Sequence, residues 1–425
     1  MSFRRLALVA VLPSLVLLVF GFVFKNPILW QPAAVAAAVL FALGLGAHAS
    51  LKTYQYTAWI IAAVVAAMIY PAQLLHWGEF DLRNKWLVLI VVQLVMFGMG
   101  TQMSVRDFIG VAKMPYGVLI AVFSQFTVMP LVGWGLTKAF SLPDEIAAGV
   151  ILIGACSSGL ASNVMCYIAK ANLALSITAT AVTTLIAPLM TPMWMSLLAG
   201  RLIEGLSFVS MMMEIVKIVL VPIGAALLGD YLKENAKARR RMIFILPIAL
   251  VIFLGSISSA VRTQTFFATN PILLECLTFL SLAVIAGTFY YLLIKIFPGL
   301  PKRMPILSMA GIVYFTTVTT AAGRDNLLMV GGLLILVAIS HNTFGYVLGY
   351  ALAWIARLDK ASRRTVAIEV GLQNGGMASG LAASMGKLAT VGLAAAVFSP
   401  WMNISGSLLA NYWRRRPTTP PTPDA

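Results

Sequence analysis

Long apolar stretches are the feature that most constrains the fold of this chain. Windows of about 20 apolar residues, the length of a helix that spans a bilayer, recur along nearly the whole sequence. Fourteen candidate spans cover residues 6–24, 32–49, 56–75, 86–100, 116–136, 145–168, 173–199, 209–228, 242–261, 273–297, 306–322, 327–355, 365–385 and 388–412. Because 60% of the residues are hydrophobic and only 10% are charged, no separate soluble domain fits. The sequence therefore predicts an all-α polytopic membrane protein.

Basic residues fall between the spans in short clusters, mostly on one side of the predicted membrane. With the N-terminus in the cytoplasm, the clusters at residues 237–241, 295–303, 357–364 and 414–416 all face the cytoplasm, as basic loops of membrane proteins do. The net charge of +16 therefore reflects orientation and not nucleic-acid binding. We predict a multi-pass protein of the cell inner membrane, embedded in the lipid bilayer. Both termini are cytoplasmic, the first helix is retained, and residues 414–425 form a disordered tail.

One predicted span contains polar and ionisable residues that are costly to place inside a bilayer. Residues 369–380 hold the carboxylate of Glu369, the amides of Gln373 and Asn374, and four glycines. An ionisable group at membrane depth faces a protein interior or a wet cavity, and backbone leaves the helix there only where it is buried or lines a cavity. We therefore predict a broken, functional span. The alternative is a tightly packed helix with Glu369 paired to a basic residue, for which Lys217 is the intramembrane candidate.

Two internal repeats connect distant spans. Residues 246–247 and 287–291 resemble residues 304–305 and 342–346, which indicates a duplicated helical hairpin. In the second repeat, the Gly-x-Ala-Ser run at Gly159 matches the run at Gly376, and the same separation carries Gln125 onto Asn342. The two copies run in opposite directions in the predicted topology. An inverted pair of Gly-interrupted spans indicates a midplane substrate site in a secondary transporter.

Hydroxyl and amide side chains cluster in the sixth and seventh spans. Ser157, Ser158, Ser162 and Asn163 lie in the sixth span, and Ser176, Thr180 and Thr184 recur every four residues in the seventh, so they share a helix face. Neutral oxygens with a single carboxylate suit a small hard cation, and sodium fits better than a divalent ion. The alternative is that these hydroxyls bond to the preceding helical turn or to neighbouring helices.

Seven short segments form a more specific pattern. They are Ser-Gln-Phe-Thr-Val-Met-Pro at 124–130, Gly-Leu-Ala-Ser-Asn-Val-Met at 159–165, Asn-Leu-Ala-Leu-Ser at 172–176, Met-Glu-Ile-Val-Lys at 213–217, His-Asn at 341–342, Ile-Glu-Val-Gly-Leu-Gln-Asn at 368–374 and Asn-Ile-Ser-Gly-Ser-Leu-Leu at 403–409. Together they resemble the bile acid:sodium symporter family and its bacterial-type sodium-dependent organic anion transporters. The resemblance covers about residues 56–412, with one insertion.

The resemblance implies a fold of ten helices in two inverted repeats, arranged as a panel domain and a core domain that holds two broken crossing helices. About four helices are then additional. The implied division is an N-terminal extra hairpin at 1–54, the first repeat and the start of the second at 55–241, an inserted hairpin at 242–298, the rest of the second repeat at 299–413, and the tail at 414–425.

The resemblance also implies two sodium sites, which share Glu369. The first uses Ser162, Asn163, Ser176, Thr180 and Glu369, and the second uses Gln125, Glu369 and Gln373 with carbonyls near Val370 and Leu372. The substrate is expected beside the crossing point, near positive helix N-termini, against Leu160, Asn374, Met402 and Asn403. Many family members have Pro-Gly-Gly-Thr at 157–160 and His at 402, whereas this chain has Ser-Ser-Gly-Leu and Met. Both differences lie beside the expected substrate, so the resemblance indicates the ion ligands better than it indicates the identity of the substrate.

The favoured interpretation is a sodium-coupled symporter that imports an organic anion by alternating access. A bile acid-like, pantoate-like or other carboxylate substrate is compatible with the sequence. A proton-coupled or exporting carrier of the same fold is one alternative, and a membrane receptor without transport is another. An enzyme is not expected, because the spans hold no recognisable Ser-His-Asp set, paired carboxylate or metal cluster.

Overall fold

The computed structural model describes residues 3–48, 51, 54–203, 205, 207–258 and 270–416. Apart from a two-stranded hairpin of β1 (His76–Trp77) and β2 (Phe80–Asp81), the elements found in these residues are helices. The predicted all-α membrane fold is confirmed. Most of the tail predicted to be disordered, residues 417–425, lies outside the described residues.

The helices follow one another with short connections. They are α1 (Phe3–Val23), α2 (Pro27–Leu45), α3 (Gln55–Ile69), α4 (Pro71–Leu75), α5 (Lys85–Gly100), α6 (Val105–Lys113), α7 (Pro115–Ala139), α8 (Asp144–Ala155), α9 (Ala161–Ile168), α10 (Leu173–Trp194), α11 (Phe208–Ile215), α12 (Val221–Glu234), α13 (Ala236–Ile257), α14 (Pro271–Ile296), α15 (Leu300–Ala322), α16 (Arg324–Ile355), α17 (Lys360–Gly371), α18 (Gly375–Ser384) and α19 (Val391–Arg414). Short π-helical stretches, Met195–Ala199 and Val216–Leu220, follow α10 and α11.

Every predicted span overlaps one helix or a run of consecutive helices, and the ends of two spans, residues 49 and 259–261, lie outside the described residues. In the described part of the chain, 9 helices are long and apolar enough to cross a membrane unaided. Five further predicted spans correspond to α3, α5, α13 and the broken pairs α8–α9 and α17–α18. These five do not meet the length and hydropathy requirement as single helices. Helices α3 and α5 are short, and α13 begins among basic residues. The two pairs are interrupted where Ser, Gly and amide residues replace the apolar run.

The helices that carry the predicted site form one bundle, which we call the core bundle: α7–α10 and α16–α19. Within it α7 contacts α8 and α16, α8 contacts α19, and α16 packs along α17. A second group, the panel, consists of α3, α5, α11, α12 and α15, with α15 against α3 and α5 and α12 against α5. The two groups meet at several places: α18 contacts α5 and α11, α10 contacts α11, and α19 contacts α15 and α3. This division agrees with the panel and core expected from the resemblance.

Two helical hairpins lie at the outside of the panel. Helices α1 and α2 pack against each other, and α2 contacts α3, whereas α13 and α14 pack together and α14 contacts α12. Large apolar side chains on α14, such as Leu280 and Phe289, are exposed on the surface of the protein and would face lipid. The predicted inserted hairpin at 242–298 corresponds to α13 and α14, and its assignment as an insertion stays a prediction.

Deletion of residues 242–298 is expected to leave the membrane topology unchanged, because it removes two crossings and the following helices keep their direction. A reporter fused after Arg414 should stay on the same side as a reporter at the N-terminus. As a control, deletion of α14 alone should move the C-terminal reporter to the other side. A reporter that switches sides after deletion of the whole hairpin would contradict the span count.

Candidate functional site

The two broken spans cross, and their breaks pair through the backbone. In the segment between α8 and α9, Gly159 N donates to Leu372 O at 2.9 Å, and Ser157 O accepts from Asn374 N at 2.9 Å. Ser158 and Gln373 thereby form an isolated antiparallel bridge. Since non-helical backbone in a membrane must be satisfied inside the protein, each break supplies the hydrogen bonds that the other lacks.

Gly159 permits this close approach. A Cβ atom at this position would lie 2.8 Å from Gln373 O, closer than a carbon atom and a carbonyl oxygen pack in protein interiors. Any side chain would therefore push the two breaks apart. The Gly-x-Ala-Ser run that indicated the repeat thus contains a residue that the crossing requires.

Side chains from other elements cap the carbonyl groups that the breaks expose. The last carbonyls of a helix have no intrahelical partner. At the end of α17, Ser158 Oγ donates to Glu369 O (3.0 Å), Gln373 Nε2 to Val370 O (2.7 Å) and Asn342 Nδ2 to Gly371 O (2.6 Å). At the end of α8, Gln125 Nε2 donates to Cys156 O (2.9 Å). Gln125 on α7 and Asn342 on α16 therefore play matching parts, as the predicted repeat requires.

The five residues predicted for the first sodium site lie together in a group that we call the hydroxyl cluster: Ser162, Asn163, Ser176, Thr180 and Glu369. Thr180 Oγ1 donates to Glu369 Oε2 at 2.8 Å, and Ser176 Oγ donates to Glu369 Oε1. Ser176 Oγ is also 2.8 Å from Asn163 Oδ1, and Ser162 Oγ is 3.3 Å from Thr180 Oγ1. The Glu369 residue is only 2% exposed, so water does not solvate its charge.

Neutral oxygens surround the Glu369 carboxylate in the hydroxyl cluster. The hydroxyls of Ser176 and Thr180 both lie within hydrogen-bond distance of the carboxylate and of Asn163 Oδ1. Each hydroxyl carries one proton, so its lone pairs can also face a cation. In the described residues no Lys or Arg forms an ion pair with Glu369, and Lys217 pairs with Glu214 at 3.1 Å. Pairing of Glu369 with Lys217 is therefore wrong, and the cluster has the composition of a cation site.

The residues predicted for the second sodium site form an amide cluster of Gln125 and Gln373 around the carbonyls of Val370 and Leu372. Gln125 Nε2 lies 2.5 Å from Gln373 Oε1, and both side chains are buried. Gln125 Oε1 is buried without a hydrogen-bond partner in the described part of the chain, which marks an oxygen available to a cation. Ser176 and Thr180 of the hydroxyl cluster donate to the Glu369 carboxylate, and the hydroxyl of Ser158 also lies close to it.

A cavity of about 300 Å³ lies beside the crossing and is lined by all four predicted substrate residues, Leu160, Asn374, Met402 and Asn403. The N-termini of α9 and α18 open onto it, and the described residues that line it include no charged side chain. Two of the four also have structural roles that the sequence did not indicate. Asn374 Oδ1 accepts from Met377 N at 3.0 Å as the N-cap of α18, and Met402 Sδ accepts from Gln373 N at 3.2 Å.

Several lining residues were missed by the sequence analysis. Tyr56, Gln102 and Ser308 come from the panel helices or their ends and face the same cavity. Gln102 lies two residues after the apolar run of α5 ends. A polar side chain at the end of a span could have indicated a residue that lines a cavity. Ser158 was noted for its hydroxyl but was not assigned to a site, and it lies between the two clusters.

A second cavity, of about 560 Å³, lies between panel and core at the opposite end of α5. Its lining includes Arg83, Lys85, Glu214, Lys217, Gly380 and Ser384. Between the two cavities α18 touches α5: a Cβ on Gly376 would lie 3.3 Å from Val95 and Met96, and one on Gly380 would lie 3.1 Å from Val92. Two turns of α18 against α5 therefore separate the cavities.

Comparison with known proteins gives consistent matches. The sequence profile described as the Sodium Bile acid symporter family matches residues 89–269. The uncharacterized sodium-dependent transporter YocS of Bacillus subtilis (strain 168) is 32% identical over 359 residues, which cover 84% of this chain and 90% of that protein. The probable sodium/metabolite cotransporter BASS1, chloroplastic, of Arabidopsis thaliana is 27% identical over 358 residues, 84% of this chain and 72% of that protein.

A more distant match is the ileal sodium/bile acid cotransporter of Homo sapiens, 27% identical over 289 residues, which cover 67% of this chain and 65% of that protein. These relatives are named as transporters or cotransporters, which agrees with the interpretation that the chain is not an enzyme. The similarity to YocS extends over most of both chains, and the motif-based resemblance is confirmed. This multi-pass membrane protein belongs to the Sodium Bile acid symporter family of sodium-dependent transporters.

Proposed function

We propose that this protein is a sodium-coupled symporter that imports an organic anion across the cell inner membrane by alternating access, with both termini in the cytoplasm. The observation that carries the proposal is the hydroxyl cluster: a buried carboxylate, Glu369, surrounded by neutral oxygens and without a cationic side chain among the described residues. An uncompensated carboxylate at membrane depth is costly, and a bound sodium ion removes that cost.

The ligand chemistry favours sodium over a divalent ion. One carboxylate with hydroxyl and amide oxygens compensates a single positive charge, whereas calcium sites usually recruit several carboxylates. The amide cluster adds a second set of oxygens, namely Gln125 Oε1, which has no partner among the described residues, Gln373 Oε1, and the carbonyls of Val370 and Leu372. A sodium ion there would require the Gln125 and Gln373 amides to turn their oxygens toward it. We therefore propose two sodium ions per transport cycle.

The substrate is proposed to bind in the cavity beside the crossing. Because the described lining residues carry no charge, the anionic group is held by the positive N-terminal ends of α9 and α18 and by amide N–H groups such as Asn374 Nδ2. Leu160 and Met402 offer apolar surface to the rest of the molecule. A monoanion with an apolar body fits this lining better than a polyanion.

The arrangement of the two cavities supports alternating access. Both lie between the panel and the core bundle, and the contact of α18 with α5 separates them. With the N-terminus cytoplasmic, the cavity at Asn374 opens toward the cytoplasm and the cavity at Lys85 toward the outside. A movement of the core bundle along the panel transfers the contact from one end of α5 to the other and exposes the crossing alternately.

The proposed function is tested by uptake into proteoliposomes. The purified protein is reconstituted, and a set of radiolabelled carboxylates and sulfonates is offered under an inward sodium gradient, under an inward proton gradient, and with potassium replacing sodium. We expect accumulation of at least one anion under the sodium gradient alone. Accumulation driven by the proton gradient in the absence of sodium would contradict sodium coupling and favour the proton-coupled alternative.

Leu160→Thr is expected to shift substrate preference toward more hydroxylated acids. An unpaired hydroxyl of the substrate buried against Leu160 costs about 1 to 3 kcal/mol, and the threonine hydroxyl can relieve that cost. For a matched pair of acids that differ by one hydroxyl, the uptake ratio should change by about tenfold. The half-saturating sodium concentration should stay the same, since Ser162 and Asn163 supply the ion ligands. Weakened sodium binding with an unchanged ratio would show that Leu160 supports the ion site instead.

A further inference from the structure

One buried hydroxyl touches both ion clusters and belongs to neither predicted site. Ser158 lies in the break between α8 and α9 and is fully buried. Its Oγ is 3.0 Å from Glu369 O, 3.3 Å from Leu372 O and 3.4 Å from Ser162 Oγ. Leu372 O belongs to the amide cluster, and Ser162 Oγ belongs to the hydroxyl cluster. The side chain therefore bridges the two sets of oxygens.

We propose that Ser158 is a further sodium ligand, and that its hydroxyl couples occupancy of the two ion sites. The inference rests on the proposed function, because it requires that sodium binds at the crossing. It adds a residue, and a path between the sites, that the motif pattern did not assign.

The coupling follows from the single proton of the hydroxyl. A serine hydroxyl donates one hydrogen bond and offers two lone pairs. In the present structure the hydroxyl lies within hydrogen-bond distance of the carbonyls of Glu369 and Leu372, and its one proton can serve either of them. When sodium binds Leu372 O, the ion replaces the hydrogen bond from Ser158 at that carbonyl. The hydroxyl can then donate to Glu369 O and turn a lone pair toward the ion.

Rotation of the Ser158 hydroxyl also affects the hydroxyl cluster. Ser158 Oγ and Ser162 Oγ are 3.4 Å apart, so the direction of the Ser158 proton determines which lone pairs Ser162 presents to its own neighbours. Ser162 in turn lies 3.3 Å from Thr180 Oγ1, a donor to Glu369. A sodium ion in the amide cluster therefore orders the oxygens that the second ion uses. Binding of the two ions is then cooperative.

The test uses the purified full-length protein, with radiolabelled sodium alone as the probe and potassium keeping the ionic strength constant. The variants are Ser158→Ala, which removes the hydroxyl, Ser158→Cys, which keeps a donor of similar size but offers a soft sulfur that sodium binds poorly, and Ser158→Thr, which keeps the hydroxyl. Ser407→Ala is the matched control. Ser407 is a buried serine on α19 whose Oγ lies 3.5 Å from Asn411 Nδ2 on the same helix.

For the wild type we expect saturable sodium binding with a Hill coefficient above 1. Ser158→Ala and Ser158→Cys should raise the half-saturating sodium concentration by about tenfold and lower the Hill coefficient toward 1. Ser158→Thr should restore both values to within about twofold of the wild type, and Ser407→Ala should leave them unchanged. The melting temperature in potassium is measured for each protein, because a role limited to capping α17 would lower it without sodium.

Three results would overturn the inference. The first is sodium binding by Ser158→Ala and Ser158→Cys that equals that of the wild type, and the second is a loss of affinity in both without any change in the Hill coefficient. In the third, the loss of sodium affinity in Ser158→Cys is matched by an equal loss of stability in potassium, which would reduce Ser158 to a structural cap. Absence of saturable sodium binding in the wild type would instead refute the proposed function itself. The two failures are therefore distinguishable.

Discussion

Glu369→Gln is expected to abolish sodium-dependent uptake while leaving a folded protein in the membrane. The substitution keeps the size of the side chain and its contact distance to Thr180 Oγ1, which is 2.8 Å in the present structure. It removes the negative charge that a sodium ion in the hydroxyl cluster compensates. Loss of a charged, buried partner typically costs several kcal/mol, so uptake should fall by at least about a hundredfold. Glu369→Ala should be at least as damaging.

The measurement is initial uptake under a sodium gradient, normalised to the amount of reconstituted protein. Glu234→Gln is the matched control, since Glu234 at the end of α12 is exposed and pairs at 3.4 Å with an equally exposed Arg106. An exposed ion pair of this kind contributes little, so the control should transport normally. Sodium-dependent uptake by Glu369→Gln at the wild-type rate would show that the carboxylate is not part of the ion site.

Gly159→Ala is expected to disable transport and to destabilise the protein. A Cβ at this position would meet Gln373 O at 2.8 Å, so the crossing must open to accommodate it. Overpacking of this kind costs about 1 to 3 kcal/mol. The displacement also disturbs the hydrogen bond from Gly159 N to Leu372 O and the carbonyls of the amide cluster. We expect a melting temperature several degrees lower, by roughly 2 to 4 °C for each kcal/mol lost, together with sodium binding weakened by at least about tenfold.

Gly135→Ala serves as the control for this substitution. Gly135 is in α7, and a Cβ built on it has nothing within 4 Å. Alanine favours a helix over glycine by about 1 kcal/mol, so this variant should be as stable as the wild type or slightly more so. If Gly159→Ala matched Gly135→Ala in melting temperature and in sodium affinity, the close backbone crossing would not be required.

The sequence could predict the parts of the architecture that depend on local composition. The fourteen spans follow from apolar length, and each overlaps a helix or a run of consecutive helices. The two breaks follow from Ser157, Ser158 and Gly159 in one span and from Gln373 and Asn374 in the other, because these residues stabilise backbone outside a helix more than they stabilise the helix. Glu369 was predicted as the centre of the site because lipid excludes a lone carboxylate.

The parts that depend on how the spans meet could not be predicted from local pattern. Ser158 acquires its position between the clusters only because the two breaks pair in antiparallel register. Met402 lies next to Gln373 N although Met402 is in α19 and Gln373 is in the break between α17 and α18. Tyr56 and Ser308 line the cavity because the panel packs across its mouth, and nothing near either residue in the chain indicates this. Long-range packing decides these contacts.

The central claim, that the crossing binds sodium through Glu369, is tested most directly by equilibrium binding of radiolabelled sodium to the purified protein at constant ionic strength. The account predicts saturable binding that approaches two ions per chain for the wild type, without displacement by excess potassium. It predicts no saturable binding for Glu369→Gln at equal folded concentration. A wild-type protein without saturable sodium binding, or a Glu369→Gln variant that still binds both ions, would contradict the account.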